Sequence, residues 1–261
     1  MRNALGLLAL ALQVLTPAHA LVVCADPNNL PFSNREGQGF ENKLVAILAK
    51  DLHTSVQYVW WAQRRGFARN TVAQARCDMW PGVAQGVKTM KTSRPYYRST
   101  YVFVTRAASD LRGLSLDDPR LRRLIIGVEM VGYDGVNTPP AHALAQRGLT
   151  QNIRGYMLYG DYSQPNPPAA IINAVANGSI DVALVWGPLA GYFSRHAAVP
   201  LRLQPVASDH EWRMAYDISV GVRRDEAELQ QRIDAALETE KPAIDALLRK
   251  YQVPQIPQLV D

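Results

Sequence analysis

What most limits the fold of this chain is a hydrophobic pattern that occurs twice, about 100 residues apart. In the first copy the apolar run from Leu21 reads as a strand. Leu44, Ile47, Leu48 and Leu52 then share one helix face. The alternating VQYVWW is a second strand, Arg65 to Ala75 a helical stretch, and the segment around Met79 a third strand. In the second copy LIIGV from Leu124 is a buried strand and Pro139 to Arg147 a helix. A strand near Ile153, a helix from Pro167 to Ala176 and the buried strand DVALVW complete it. Proline opens both of these helices, where its missing N–H is not needed. Short strands joined through helices favour parallel sheets covered on both faces, so we expect an α/β protein of two lobes.

The C-terminal stretch supplies the strand ISVGV and a helix opened by Asp225, with Glu228 three residues on as an acidic capping box. If this part returns to the first lobe, the chain crosses between lobes near Val104 to Ala107 and again near Tyr216 to Ser219, making a hinge and a cleft. The expected division is residues 21–104 and 217–261 in lobe 1, with 105–216 in lobe 2.

Residues 1–20 read as a signal peptide: Arg2, the apolar stretch Leu5 to Leu15, and the A-x-A site Ala18, His19, Ala20. The apolar run is too short to cross a bilayer, so we expect cleavage after Ala20, a periplasmic protein and no membrane insertion. Val23 before Cys24 is not the small residue of a lipoprotein signal. The net charge of +5 is spread along the chain, which disfavours nucleic acid as a partner. Export permits a bridge between Cys24 and Cys77, which lie on two expected neighbouring strands. The alternative is two buried free thiols.

Ligands of open α/β sheets bind beyond the carboxyl ends of strands. That places Asp26, Asn28, Asn29 and Phe32 of DPNNLPFSN at the cleft, although the same residues also suit a plain turn. WWAQRRGF brings Trp60, Trp61, Arg64, Arg65 and Phe67. Strand alternation sends one tryptophan to each face, and Trp61 is the one expected at the cleft. This mixture suits cation–π stacking or a protein interface, and equally a core Trp60 with solvated arginines. In the second lobe VGYDGVNTPP places Tyr133, Asp134, Asn137 and Thr138 at a helix entry, to frame a ligand or, for Thr138, simply to cap the helix. Tyr159, Asp161 and Tyr162 lie in a polar loop adapted for recognition. Trp186 and Tyr96 complete the expected cleft lining.

Catalysis has little support. His53, His142, His196 and His210 show no metal-ligand spacing, and no G-x-S-x-G elbow, P-loop or CxxC occurs. Glu129, Asp134 and Asp161 are the acids placed for proton transfer, without a surrounding site. We expect no enzyme, no cofactor and no metal; a D-x-D-x-D-G calcium loop is also missing.

The opening CADPNNLPFSNREGQGFENKLVAILAK resembles the start of the type II (family 3) periplasmic solute-binding proteins of ABC transporters. RPYYRSTYVFVTR and SVGVRRDEAELQQRIDAAL resemble that superfamily's crossover strands and terminal helix. Within it, CADPNNLPFSN, WWAQRRGFARNT, VGYDGVNTPPAHALAQRG, YGDYSQPNPPAAII and DVALVWGPLAGYF together resemble the methanol-oxidation J family of quinoprotein dehydrogenase-associated solute-binding proteins. The resemblance implies a bilobal type II periplasmic binding protein fold, two Rossmann-like lobes joined by a two-strand hinge. It also implies a periplasmic accessory protein of a PQQ-dependent alcohol (methanol) dehydrogenase that assists its maturation or activation. The alternative is a receptor for a small polar solute, delivering it to an ABC permease. One departure bears on this choice. Amino-acid binders of the superfamily carry an arginine clamp before the Pro-Tyr-Tyr turn, whereas GVAQGVKTMKTSRPYY holds Lys88, Lys91 and Arg94 but no arginine at the matching place. The acidic pair that often follows Gly-Phe is here Glu41 and Asn42.

Overall fold

The structure is a computed structural model that describes residues 20–64, 66–131, 137–157, 163–207 and 209–257. Its first half runs β1 (Leu21–Ala25), the short β2 (Asn28–Asn29) and β3 (Ser33–Asn34), α1 (Phe40–Asp51), β4 (Val56–Trp60), α2 (Phe67–Asn70), β5 (Met79–Ala84) and β6 (Lys91–Thr92). The ten-residue β7 (Tyr97–Arg106) leads into β8 (Ile126–Met130), α3 (Pro139–Gln146), β9 (Ile153–Met157), α4 (Ala170–Ala176), β10 (Val182–Trp186), α5 (Gly187–Arg195) and β11 (Leu201–Pro205). The chain returns through β12 (Ala215–Val222), α6 (Ala227–Thr239) and α7 (Lys241–Lys250).

The strand order is β4-β1-β5-β12-β7-β10-β8-β9, with β6 on β12 and β11 on β7. β1 pairs in parallel with β4 and β5, and β8 with β9 and β10, as helical connections require. β7 joins the two parts of the sheet. Its Tyr97–Thr100 stretch runs antiparallel to Ala215–Ile218 of β12, and its Tyr101–Thr105 stretch antiparallel to β10. The ion pair between Arg98 and Asp217, directly opposite each other on β7 and β12, is largely buried.

Each part of the sheet is covered on both faces. Phe40, Leu44 and Leu48 of α1 share a core with Ile233 of α6 and Ile244 and Leu248 of α7, so the C-terminal helices pack on the first half. In the second half, Ile171, Ile172 and Val175 of α4 and Leu189 and Phe193 of α5 cover one face. Leu144 of α3 with Leu121 covers the other. Cys24 and Cys77 form a disulfide with Cα atoms 5.6 Å apart. Closing a loop of 53 residues, it contributes about 4 kcal/mol by limiting the unfolded chain.

Two local expectations are corrected. The stretch from Arg65 to Ala75 is not one helix but the single turn α2 followed by a 3-10 turn over Val72–Gln74. Gly66 enters it with φ +87°, Thr71 turns its hydroxyl back onto the Phe67 carbonyl at 2.6 Å, and Ala75 leaves with φ +51°. The acidic capping box at Asp225 and Glu228 does not form: α6 starts at Ala227 with no side-chain cap. Arg223 instead draws the acids of this corner to itself, pairing with Asp78 at 3.0 Å, Asp225 at 3.5 Å and Glu226. A guanidinium with several donors outcompetes two backbone N–H groups for these carboxylates.

Candidate functional site

Two cavities lie where the halves meet. The inner one, about 310 Å³, is formed where β7 passes from one half to the other. Asn29, Phe32, Glu41, Gln63, Gly82 and Tyr97 line it from the first half, and Tyr101, Glu129 and Trp186 from the second, with Tyr216 on β12.

The loop after β1 is organised by Asp26. Its carboxylate accepts the Asn28 N–H at 2.8 Å and the Gln63 N–H at 2.6 Å, while the Ser33 hydroxyl donates to its carbonyl at 2.8 Å. Asp26 is therefore buried and positions its neighbours rather than facing the cavity. Asn29, held by a 2.9 Å bond from its Nδ2 to Gln63 Oε1, and Phe32 reach the cavity. Helix α1 can begin beside them only because residue 39 is glycine: a Cβ there would stand 1.9 Å from the Phe32 carbonyl oxygen. Asn42 then accepts the N–H groups of Gly39 and Asn34, at 3.1 and 3.0 Å. This is the structural work done by the asparagine of the Glu41–Asn42 pair.

Glu41, in the first turn of α1, is 3% exposed. Burial, reinforced by the charge of Asp26, pushes its carboxyl up to about 8. Gly82 on β5 makes room for it, since a Cβ at that position would lie 2.1 Å from Glu41 Oε1. Across the cavity Glu129, at the end of β8, is 2% exposed. Its Oε2 accepts the Trp186 N–H at 2.9 Å, and its Oε1 has no hydrogen-bond partner. Burial raises this carboxyl to about 7, against the lowering effect of that N–H. The Trp186 ring stands between Tyr101 and Tyr216, with centroids 5.2 and 6.0 Å away. Two buried carboxyls thus meet an aromatic wall, and no Lys, Arg or His is among the described residues that line the cavity.

The outer cavity is the wider mouth, about 830 Å³, framed by Asn28, Arg35, Trp60, Trp61, Arg64 and the Ser163–Asn166 segment of the second half. Asn28 Nδ2 donates to the Gln164 carbonyl at 3.0 Å, bridging the two sides. Arg35 lies over the Trp60 ring and Arg76 over Trp61, at 5.6 and 5.5 Å. Trp60 also stacks on Tyr58 at 4.6 Å. Both tryptophans reach the mouth, because β4 ends at Trp60 and Trp61 no longer obeys strand alternation.

The remaining expected site residues are placed as follows. Phe67 is core, packed with Trp80 against the disulfide. Tyr96 is buried with its hydroxyl donating to the Pro81 carbonyl at 2.9 Å; its neighbour Tyr97 is the one at the inner cavity. Thr138 precedes α3 but sends its hydroxyl to the Glu129 carbonyl at 2.8 Å instead of capping the helix. Asn137 accepts the Val131 N–H at 3.1 Å. Arg65, Tyr133, Asp134, Tyr159, Asp161 and Tyr162 lie outside the described residues. Sequence reasoning passes over Gln63, Gly82, Tyr97, Tyr101 and Tyr216, and names Glu129 only as an acid. The spacing of Tyr97, Ser99 and Tyr101 on one face of a strand is the signal that would find two of them. Among the described residues no cluster of three or more His, Cys, Asp or Glu is arranged to hold a metal, and no helix is long and apolar enough to cross a membrane.

No protein-family model matches the chain. Protein MoxJ of Methylorubrum extorquens AM1 is 32% identical over 92% of this chain and 83% of its own length. Protein MoxJ of Paracoccus denitrificans is 30% identical over 98% of both chains. This chain belongs to the MoxJ family. The crystal structure of periplasmic binding protein XoxJ from Methylobacterium extorquens AM1 superposes with a TM-score of 0.74 at 36% identity, covering 92% of this chain and all of that one. The MoxJ-family chain described here therefore has the bilobal type II periplasmic binding protein fold, with β7 and β12 as the strands between its lobes.

Proposed function

We propose that this chain is a periplasmic accessory protein of a PQQ-dependent alcohol dehydrogenase, exported with removal of residues 1–20, that binds the enzyme and assists its maturation or activation. The observation that carries this reading is membership of the MoxJ family over nearly the whole chain. The mouth supports it: half-exposed Trp60 and Trp61 with Arg35 and Arg64 form the kind of aromatic and guanidinium surface that anchors a protein partner. No guanidinium is among the described residues that line the inner cavity, which argues against an ordinary amino-acid receptor. We read the chain as a binding protein and assign it no reaction.

The test is calorimetric titration of the chain lacking residues 1–20 into the PQQ alcohol dehydrogenase of the same cell, as apo-enzyme and as holo-enzyme. Saturable binding that is tighter for the apo form, and weaker for a Trp60→Ala, Arg64→Glu variant, is the expected result. No heat with either form would move the assignment to the second reading, a small-solute receptor serving an ABC permease. The carboxyl-bearing inner cavity favours that second reading.

A further inference from the structure

We propose that the inner cavity is a binding site for an aliphatic ammonium group, presented either by a free alkylamine or by a lysine side chain. This goes beyond partner binding at the mouth and does not depend on it.

Glu129 lines the cavity, and its Oε1 is buried and without a donor; a buried acceptor left unpaired is costly. An N–H of an ammonium group satisfies it with a charge-assisted bond. Glu41 stands on the other side of the same cavity, and Gly82 is held to glycine by the space this carboxyl occupies. The walls between them are Tyr101, Trp186 and Tyr216, whose ring faces attract a cation desolvated beside them. An anion finds no basic partner among the described lining residues. A neutral alcohol brings no charge to stabilise the carboxylate forms, whose burial is otherwise unfavourable. The volume, about 310 Å³, is at the small end for ligand cavities and suits a short alkyl chain.

The carboxyls add a signature. Asp26, Tyr58, Tyr96 and Tyr97 face Glu41, and Tyr101 with the Trp186 N–H faces Glu129. Burial holds protons on these acids near neutrality. A cation favours the carboxylate, so binding releases a proton to the buffer and affinity rises between about pH 6 and 8.

The experiment is calorimetry of the chain lacking residues 1–20, in two buffers of different ionisation enthalpy. The probes are n-butylammonium chloride and the N-acetyl methylamide of lysine, with n-butanol and butyrate as controls. Saturable binding of an ammonium probe with proton release, absent for both controls and weakened at least about tenfold by Glu129→Gln, supports the site. Preference for butylammonium assigns it to a free amine, and preference for the lysine derivative to a presented side chain. No binding of either probe at millimolar concentration, equal binding of a control, or unchanged affinity in the variant overturns it. Should Glu129→Gln not fold, Glu41→Gln takes its place: weakened ammonium binding in that variant, with proton release in the unsubstituted chain, supports the site, and the lack of either overturns it. The dehydrogenase titration is read separately. Enzyme binding without ammonium binding removes this proposal alone, and ammonium binding without enzyme binding removes the accessory role alone.

Discussion

The inner cavity and the outer mouth lie in the same crevice, yet they handle polar groups in opposite ways. Inside, Glu41 and Glu129 are almost wholly removed from water and hold their protons to higher pH, and Glu129 keeps one oxygen unpaired. Outside, Arg35 and Arg64 sit beside half-exposed tryptophans, where water screens their charge. Buried polar groups have large energetic consequences and impose geometry. Exposed ones steer and contact a partner at little cost to the fold. On the proposed reading, the cavity is the selective element and the mouth the adaptable one.

The largest effect that would sharpen this contrast concerns the support beneath the mouth. Trp61 and Phe67 pack on the Cys24–Cys77 cluster. Replacing both cysteines by serine should lower stability by about 4 kcal/mol, read by chemical denaturation. Ammonium binding in the cavity should persist while the protein remains folded. Loss of cavity binding in the folded variant would show that the two regions are not separate.

Next comes pH. The folded-state carboxyls of Glu41 and Glu129 lie above their ordinary value of 4.5, so the folded protein holds protons that the unfolded chain has released. Their contribution is fully present below about pH 4.5 and is lost as pH rises through about 7 for Glu129 and about 8 for Glu41. We expect stability to fall as pH rises across this window. Melting temperatures should show a shallower slope for Glu41→Gln and an unchanged one for Trp60→Ala. An unchanged slope for Glu41→Gln would break the comparison.

Gly82→Ala should cost about 1–3 kcal/mol, because the added methyl group meets Glu41 Oε1. It should also weaken ammonium binding by displacing that carboxyl. The smallest effect belongs to the mouth: Trp60→Ala should alter stability by no more than about 1 kcal/mol, the worth of an aromatic stack. Its consequence should appear in dehydrogenase affinity instead.

Hydrophobic period alone places β1, α1, β4, β8, α3, β10 and β12 close to where they stand, because each is an apolar stretch whose spacing matches one kind of element. The disulfide is legible from two cysteines on expected neighbouring strands. The Arg65–Ala75 stretch departs from its helical pattern because Gly66, Thr71 and Ala75 break the backbone locally, and the Asp225 cap fails because Arg223 competes for the carboxylate. Tyr97 rather than Tyr96 reaches the cavity because a one-residue difference in strand phase decides which side chain faces the crevice.

The sequence by itself determined the class of the fold, its two repeated halves and its family, since these follow from periodicity and from motifs that extend along the chain. Only the tertiary structure decided the site. Glu41 meets the space left by Gly82, and Glu129 meets the N–H of Trp186, through contacts between residues 41 and 57 positions apart. The degree of burial that makes those carboxyls unusual belongs to the packed crevice and to no local stretch of chain.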